Sequence, residues 1–134
     1  FSDNKINGMI MMGGPMEYLP RQLEDWLRRE AKDIIEPKAT NMALHLNKKI
    51  EKITIRDTIS RWGSCSPNGN LSFCWRLVMC PDWVINYVVA HEVSHLCYMN
   101  HGEEFWRTVF DFKVSAELAR KWLKKNAERL YSFG

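Results

Sequence analysis

Residues 81–95 read PDWVINYVVAHEVSH, and they carry the strongest structural signal in the chain. Pro81 suits the start of a helix because its missing N–H would be unpaired there anyway, and Asp82 complements the helix dipole in the first turn. Apolar residues then recur at helical spacing, at Val84, Ile85, Val88, Val89 and Val93. So broad an apolar stripe predicts a helix that is packed into the core of a domain.

Two histidines and a glutamate interrupt the apolar pattern near the end of this helix. His91 and His95 are four residues apart, so they share one helical face and lie about 6 Å apart along the axis. Two imidazoles so placed can bind one tetrahedral zinc ion at ~2.0–2.1 Å, while Glu92, turned by about 100°, reaches the water on the metal. Zinc lowers the pKa of that water towards ~7, and a carboxylate accepts its proton as the water attacks a peptide carbonyl. The pattern predicts a peptidase site with one Zn²⁺ per chain and Glu92 as general base.

The alternative interpretation is a helix that happens to carry two surface histidines and a glutamate. The residues around them, Val88, Val89, Ala90, Val93 and Leu96, are those of a buried helix. Buried imidazoles need polar partners, and a zinc ion supplies one. The flanking sequence therefore favours the metal site.

His101 is the predicted third metal ligand, since a catalytic zinc takes three protein ligands and keeps one position open. In an unbroken helix it would lie about 120° away from the face that holds His91 and His95. It can bind only if the helix ends first, and Asn100 and Gly102 both tolerate the left-handed conformation that ends helices.

Other third ligands are open from the sequence alone. The spacing from His95 to His101 is that of the metzincins, but the glycine that they carry within the gap is absent from residues 96–100. Glu103, Glu104 and Glu117 are the competing ligands, because some zincins use a glutamate from a later helix. The remaining histidine, His45, falls in a different predicted helix and is interpreted as structural.

The rest of the chain predicts an α+β fold. Pro20 begins an N-terminal helix, Pro37 is expected to kink or break it, and a helical stripe resumes from Met42 to Ile50. Predicted strands cover residues 52–57, 61–66 and 71–78, with a turn at 67–70, so the sheet is expected to be small and largely antiparallel. Helical stretches at about 102–112 and 115–131 follow.

Length and composition indicate one domain that contains no membrane span. The chain has 134 residues, 46% of them hydrophobic and 26% charged, and no apolar run approaches the ~20 residues that cross a bilayer. We assign the domain to residues 20–134 and interpret residues 1–19 as a remnant of a longer chain, since the first residue is Phe1. Without a signal peptide, the expected location is the cytoplasm, with four free cysteines.

Several motifs, in order, resemble the YgjP-like metallopeptidase domain, a distant relative of the SprT-like proteases and other zincins. The matching residues are Arg61-Trp62-Gly63-Ser64-Cys65-Ser66, Trp75-Arg76-Leu77 with Pro81, residues 87–96, Asn100-His101 and Phe105-Trp106. The resemblance runs from about Leu19 to the C-terminus. It implies a compact zincin-like fold, zinc ligands at His91, His95 and His101, and Glu92 as general base.

Residues 61–66 are the candidate substrate-binding strand. In zincins an edge strand above the active-site helix holds the substrate extended by backbone pairing. Trp62 would line a pocket, Arg61 would bind an oxyanion or a substrate carboxylate, and Ser64 belongs to the same segment. Tyr87 lies one turn before His91 and would support the site. The alternative is that Gly63, Ser64 and Cys65 simply let the strand pack closely on the helix, and that Tyr87 and Trp106 belong to the core.

Three functions compete at this stage. The first is a zinc peptidase acting on peptides or proteins. The second is a DNA-associated protease or nucleic-acid-binding module, suggested by the basic residues 120–125 with Trp122 and Tyr131, although a net charge of +3 is mild and a solvated helix face also explains them. The third is a structural zinc domain, against which Glu92 argues because such a site needs no carboxylate there.

Overall fold

The computed structural model describes residues 20–133 and shows an α+β domain. This part of the chain contains four helices and a three-stranded sheet. In chain order the elements are α1 (Arg21–His45), β1 (Lys52–Arg56), β2 (Gly63–Cys65), β3 (Asn70–Cys74), a 3-10 helix (Trp75–Met79), α2 (Asp82–Ser94), α3 (Glu103–Asp111) and α4 (Ala116–Tyr131). None of the helices in this part of the chain is both long and apolar enough to cross a membrane.

Helix α1 continues through Pro37, so the expected break is wrong. Proline removes the N–H that would bond to the carbonyl of Asp33, four residues earlier. Both residues are exposed, so that carbonyl faces water. The opposite face is a buried stripe with a spacing of four residues, formed by Leu27, Ala31, Ile35, Ala39 and Ala43. Packing of this stripe holds the helix together across the proline. The helix ends at His45, so the predicted stripe to Ile50 extends too far.

The sheet is mixed, which corrects the expectation of a largely antiparallel sheet. Its strand order is β1-β3-β2. Strands β2 and β3 form the predicted hairpin, whose turn holds Gly69 at a φ of +87°. Strand β1 instead pairs with the far side of β3 and runs parallel to it. Period-two alternation identifies a strand and its faces but does not identify its partner, so this pairing was not predictable from the pattern.

The third strand is shorter than predicted because β3 ends at Cys74 and residues 75–79 form the 3-10 helix. A short apolar run does not distinguish a buried strand from a buried helical turn. Helix α2 contacts α1, β2, α3 and α4, and nine of its thirteen residues are buried. The prediction of a core helix is therefore confirmed, and this helix is the central element of the domain. Its polar residues His91, Glu92 and Ser94 lie near its C-terminal end.

Candidate metal centre

The end of α2 delivers two histidines to one place, and the following turn returns with a third. His91 lies in the last turn of α2, His95 caps it, and His101 precedes α3 by two residues. The helix ends before His101 as required, but not by the left-handed route. Among residues 20–133, positive φ angles occur only at Asn47, Gly69 and Lys113. Instead the end of the helix tightens through 3-10-type hydrogen bonds between residues three apart. The Cys97 N–H, for example, donates to the Ser94 carbonyl at 3.0 Å.

The three histidines form a compact cluster. One potential ligand atom from each of His91, His95 and His101 lies within 4.8 Å of the others. The ring centroid of His91 lies 5.1 Å from that of His95 and 5.1 Å from that of His101. The centroids of His95 and His101 are 4.8 Å apart. In the described part of the chain this is the one group of three or more His, Cys, Asp or Glu side chains placed to hold a metal ion.

Hydrogen bonds on the far side of two rings fix which nitrogen faces the cluster. Nδ1 of His95 lies 2.9 Å from the Tyr98 carbonyl oxygen, which can only accept, so Nδ1 carries the proton. Nδ1 of His91 lies 3.0 Å from Oε2 of Glu92, where the carboxylate accepts in the same way. In the neutral form of each imidazole the lone pair then remains on Nε2. This is the arrangement by which protein metal sites orient their histidines.

The nitrogen separation fits a shared metal ion. Nε2 of His95 lies 3.1 Å from Nε2 of His101, close to the ~3.3 Å between two ligands of a tetrahedral zinc. Desolvation, followed by the nearby His91 and His95, lowers the pKa of His101 below its usual value of 6.5. The ring is therefore neutral at pH 7, which is the form that binds metals. An all-imidazole set suits zinc, copper, iron or nickel better than calcium or magnesium.

Two aromatic rings of α3 pack against the histidine cluster. The buried ring of Phe105 lies 5.1, 4.5 and 4.9 Å from the rings of His91, His95 and His101. Trp106 lies 5.8 Å from His91 and 6.1 Å from His101. The alternative assignment of Trp106 to the core is therefore incomplete, since its half-buried ring belongs to the surroundings of the site.

Glu92 is buried beside the cluster and is held there by a close backbone approach. Its side chain is 8% exposed, and strand β2 passes over it. A Cβ atom on Gly63 would lie 2.8 Å from Cγ and 3.2 Å from Oε2 of Glu92. Gly63 therefore leaves room for the carboxylate, which agrees with the interpretation that this segment packs closely on the helix. It also places β2 directly against the group that was predicted to act as base.

A cavity of about 410 Å³ opens next to His91 and Glu92. Arg61, Trp62 and Tyr87, predicted from the sequence to bind substrate or support the site, all line it. Tyr87 is buried with its ring 5.9 Å from that of His91, and burial raises the pKa of its phenol against the opposing charge of Arg120. Trp62 is stacked on Tyr131 with centroids 4.7 Å apart.

Ser64 is not brought to this cavity. It follows Gly63 in the strand and therefore points to the opposite face of the sheet, where it pairs with Ser72. It lines a separate small cavity of about 20 Å³. The strand periodicity gave this signal, because Gly63 and Ser64 cannot both face the same helix.

Arg120 and Lys124 of α4 also line the main cavity, and their role was not predicted. The sequence showed only a basic run at 120–125, without its location relative to the histidines. Nε of Arg120 donates to the Tyr87 hydroxyl at 3.2 Å, and its guanidinium lies 4.6 Å above the Trp106 ring. Trp122 packs against the core, so the run does not present one continuous surface of charge and aromatic rings.

The competing glutamates lie outside the histidine cluster. Glu103 pairs with Arg107 at 3.2 Å and Glu117 pairs with Lys121 at 3.4 Å, both on exposed helix surface. Glu104 is also exposed. His45 lies at the end of α1 with its ring 5.8 Å from Phe112. The geometry therefore favours His101 over these residues as third ligand.

Comparisons with known proteins identify a family and a similar fold. A family model described as "YgjP-like, metallopeptidase domain" matches residues 5–126. The fold is similar to that of the metallopeptidase zymogen of Methanocaldococcus jannaschii jannalysin, with a TM-score of 0.55 and 21% identity over 75% of this chain and 96% of that one. A search of curated proteins gave no significant match. At this identity the jannalysin structure supports the fold alone.

Proposed function

We propose that this chain, which belongs to the YgjP-like metallopeptidase domain family, is a zinc peptidase in which His91, His95 and His101 hold the metal and Glu92 is the general base. One observation carries the proposal: three histidine side chains come within 4.8 Å of one another while a buried carboxylate contacts the first of them. A carboxylate can orient a ligating histidine in either kind of zinc site, but only a catalytic site also needs a proton acceptor for the attacking water.

The chemistry divides between the ion and the protein. When bound, zinc would polarise a peptide carbonyl and lower the pKa of water to ~7. Glu92 accepts the proton of the attacking water and returns it to the departing amine. One of its oxygens already bonds to Nδ1 of His91 at 3.0 Å, so the carboxylate is oriented before substrate arrives. The Tyr98 carbonyl holds His95 in the required tautomer.

Strand β2 supplies a docking edge for an extended peptide. Within the described residues it is an edge of the sheet. Ser66 N–H donates to the Asn70 carbonyl and Cys74 N–H to the Trp62 carbonyl, so the even-numbered residues of this segment pair with β3. The backbone groups of Gly63 and Cys65 therefore point to the open edge. A substrate paired there passes over Glu92, because Gly63 lies against that carboxylate.

Hydrolysis of an unstructured protein such as casein by the zinc-loaded chain tests the proposal. Glu92→Gln keeps the size of the side chain but cannot accept a proton, so it should reduce hydrolysis at least about a hundredfold. Zinc content should stay at one per chain. Glu117→Gln is the matched control, because this exposed residue pairs only with Lys121 and lies outside the cluster. Equal activity of Glu92→Gln and the wild type would overturn the assignment of the base.

A further inference from the structure

The cavity beside the histidine cluster combines apolar walls with a positively charged rim. The walls come from Trp62, Val88, Leu123 and Ala127. The charged rim comes from Arg61, which precedes β2, and from Arg120 and Lys124 on α4. Glu92 is the one acidic residue among the lining residues. A volume of about 410 Å³ lies within the range of small-molecule and side-chain pockets.

The three cations of this rim remain available to a ligand. None of the ion pairs between residues 20 and 133 involves Arg61, Arg120 or Lys124. All three side chains are exposed. Arg120 and Lys124 are four residues apart, so they share one face of α4 and point to the same space. Arg120 is also oriented, because the Tyr87 hydroxyl and the Trp106 ring both contact its guanidinium.

We propose that this cavity binds a carboxylate of the substrate, so that the enzyme prefers peptide bonds close to an acidic side chain or to a free C-terminus. The proposal rests on the proposed function, since it assigns the substrate class of the same site. The apolar walls accept a methylene stem and the cationic rim accepts its charged end, which favours glutamate over aspartate among acidic side chains. Glu92 lies at the inner end, where the scissile bond would be.

The expected selectivity for a carboxylate depends on three cations that line the same cavity. A single exposed ion pair contributes little to binding. Here three cations face one cleft with low-dielectric walls, which concentrates their field on a ligand, and each arginine can bind a carboxylate through two parallel hydrogen bonds. The selectivity should weaken as ionic strength rises, because the rim is exposed to solvent.

Binding to zinc-loaded Glu92→Gln tests the proposal without hydrolysis. The probes are octapeptides labelled at the N-terminus with an uncharged BODIPY dye, and they differ at one feature: an internal Glu with an amidated C-terminus, an internal Gln with an amidated C-terminus, and an internal Gln with a free C-terminus. Fluorescence anisotropy should show that one or both carboxylate-bearing peptides bind at least tenfold more tightly than the neutral peptide. The tighter of the two identifies the source of the carboxylate. Equal affinities for all three, or no binding of any, would overturn the proposal.

Variants of the rim, made in the same Glu92→Gln background, separate this cavity from general attraction to a basic protein. Lys124→Ala and Arg61→Ala should each reduce the preference at least threefold. Lys125→Ala is the matched control, because this exposed lysine is adjacent in sequence but does not line the cavity. An equal loss in Lys125→Ala would overturn the proposal. If the wild type cleaves neither these peptides nor casein while carboxylate-selective binding persists, the peptidase function fails and the cavity assignment stands.

Discussion

Gly63 is the residue whose role follows most directly from the geometry. An alanine there would place its Cβ 2.8 Å from Cγ of Glu92, and contacts below 3.0 Å require a shift of one of the two groups. Because Glu92 is buried, its carboxylate would move out of position. Gly63→Ala should therefore reduce hydrolysis at least about tenfold while zinc content stays unchanged, since a misplacement of 1 Å can cost this much.

Gly102→Ala is the matched control for this substitution. A Cβ there meets nothing within 4 Å, and its φ of −86° suits alanine. Activity assays and metal analysis on both variants give the comparison. Full activity in Gly63→Ala would show that the close approach does not position Glu92.

The Cys65 thiol should be chemically inert despite its place near the site. Burial, followed by the charge of Glu92, raises its pKa from 9.0 to about 11. The thiolate is the reactive form, and at pH 8 only about one thiol in a thousand is ionised at that pKa. Its protonated state favours folding fully below about pH 9, and this contribution is lost as the pH rises towards 11.

Alkylation by iodoacetamide, followed by mass spectrometry, measures the state of this thiol. At pH 8 Cys65 in the folded protein should react far more slowly than the same residue in urea. Equal rates would mean that neither burial nor Glu92 protects it. The expected slow rate would also argue against Cys65 as a source of metal poisoning or oxidation at the site.

At the scale of elements, the buried Arg76 joins the 3-10 helix to two other segments. Its guanidinium donates to the Phe133 carbonyl at 2.7 Å and to Asp57, after β1, at 2.7 Å. It also lies 4.6 Å above the Trp75 ring. Its side chain is 2% exposed, so its bond to the buried Phe133 carbonyl is not shared with water. The Trp75-Arg76-Leu77 motif therefore contributes to the stability of the fold rather than to the candidate site.

Arg76→Met should lower the free energy of unfolding by roughly 3 kcal/mol, because it leaves the Phe133 carbonyl unpaired in a buried position. Urea denaturation measures this change. The comparison is Arg107→Met on α3, whose exposed pair with Glu103 should contribute less than about 1 kcal/mol. Equal losses in the two variants would contradict the account of Arg76.

The elements also show what local sequence can predict. Helix α2 was predictable because its apolar stripe, its opening proline and its polar end all agree. The continuity of α1 across Pro37 was not, since it depends on packing of the opposite face against other elements. The parallel pairing of β1 with β3 and the 3-10 helix after β3 were missed for the same reason: both are decided by contacts between segments that are distant in sequence.

At the scale of the molecule, the site combines strand β2, α2, the turn at His101, α3 and α4. His91, Glu92 and His95 share one local motif, so their proximity followed from helix geometry. His101 required an inferred end of that helix, and the motif alone left three glutamates as competitors. Arg120 and Lys124 reach the cavity from α4, and no local pattern indicates which cavity a basic run will face. The proximity of the three histidines was therefore predictable, whereas the contribution of α4 to the neighbouring cavity was not.

Removal of the metal should leave the fold intact. The core is continuous from α1 through the sheet to α2 and α4, and it is built from apolar side chains rather than from the histidine cluster. Metal binding to the folded state alone adds about 2.7 kcal/mol of stability at a free concentration of 100 Kd. Chelation should therefore lower the thermal unfolding midpoint by several degrees without loss of the helical circular dichroism signal. Unfolding on chelation would indicate a structural zinc domain instead.

Zinc titration of the wild type and of His101→Ala tests the central claim most directly. The account predicts one tightly bound zinc per wild-type chain and an affinity at least about a hundredfold weaker in the variant, because one of three ligands is lost. His45→Ala, at the far end of α1, should bind zinc like the wild type. Wild-type affinity and stoichiometry in His101→Ala would contradict the convergence of the three histidines on one ion.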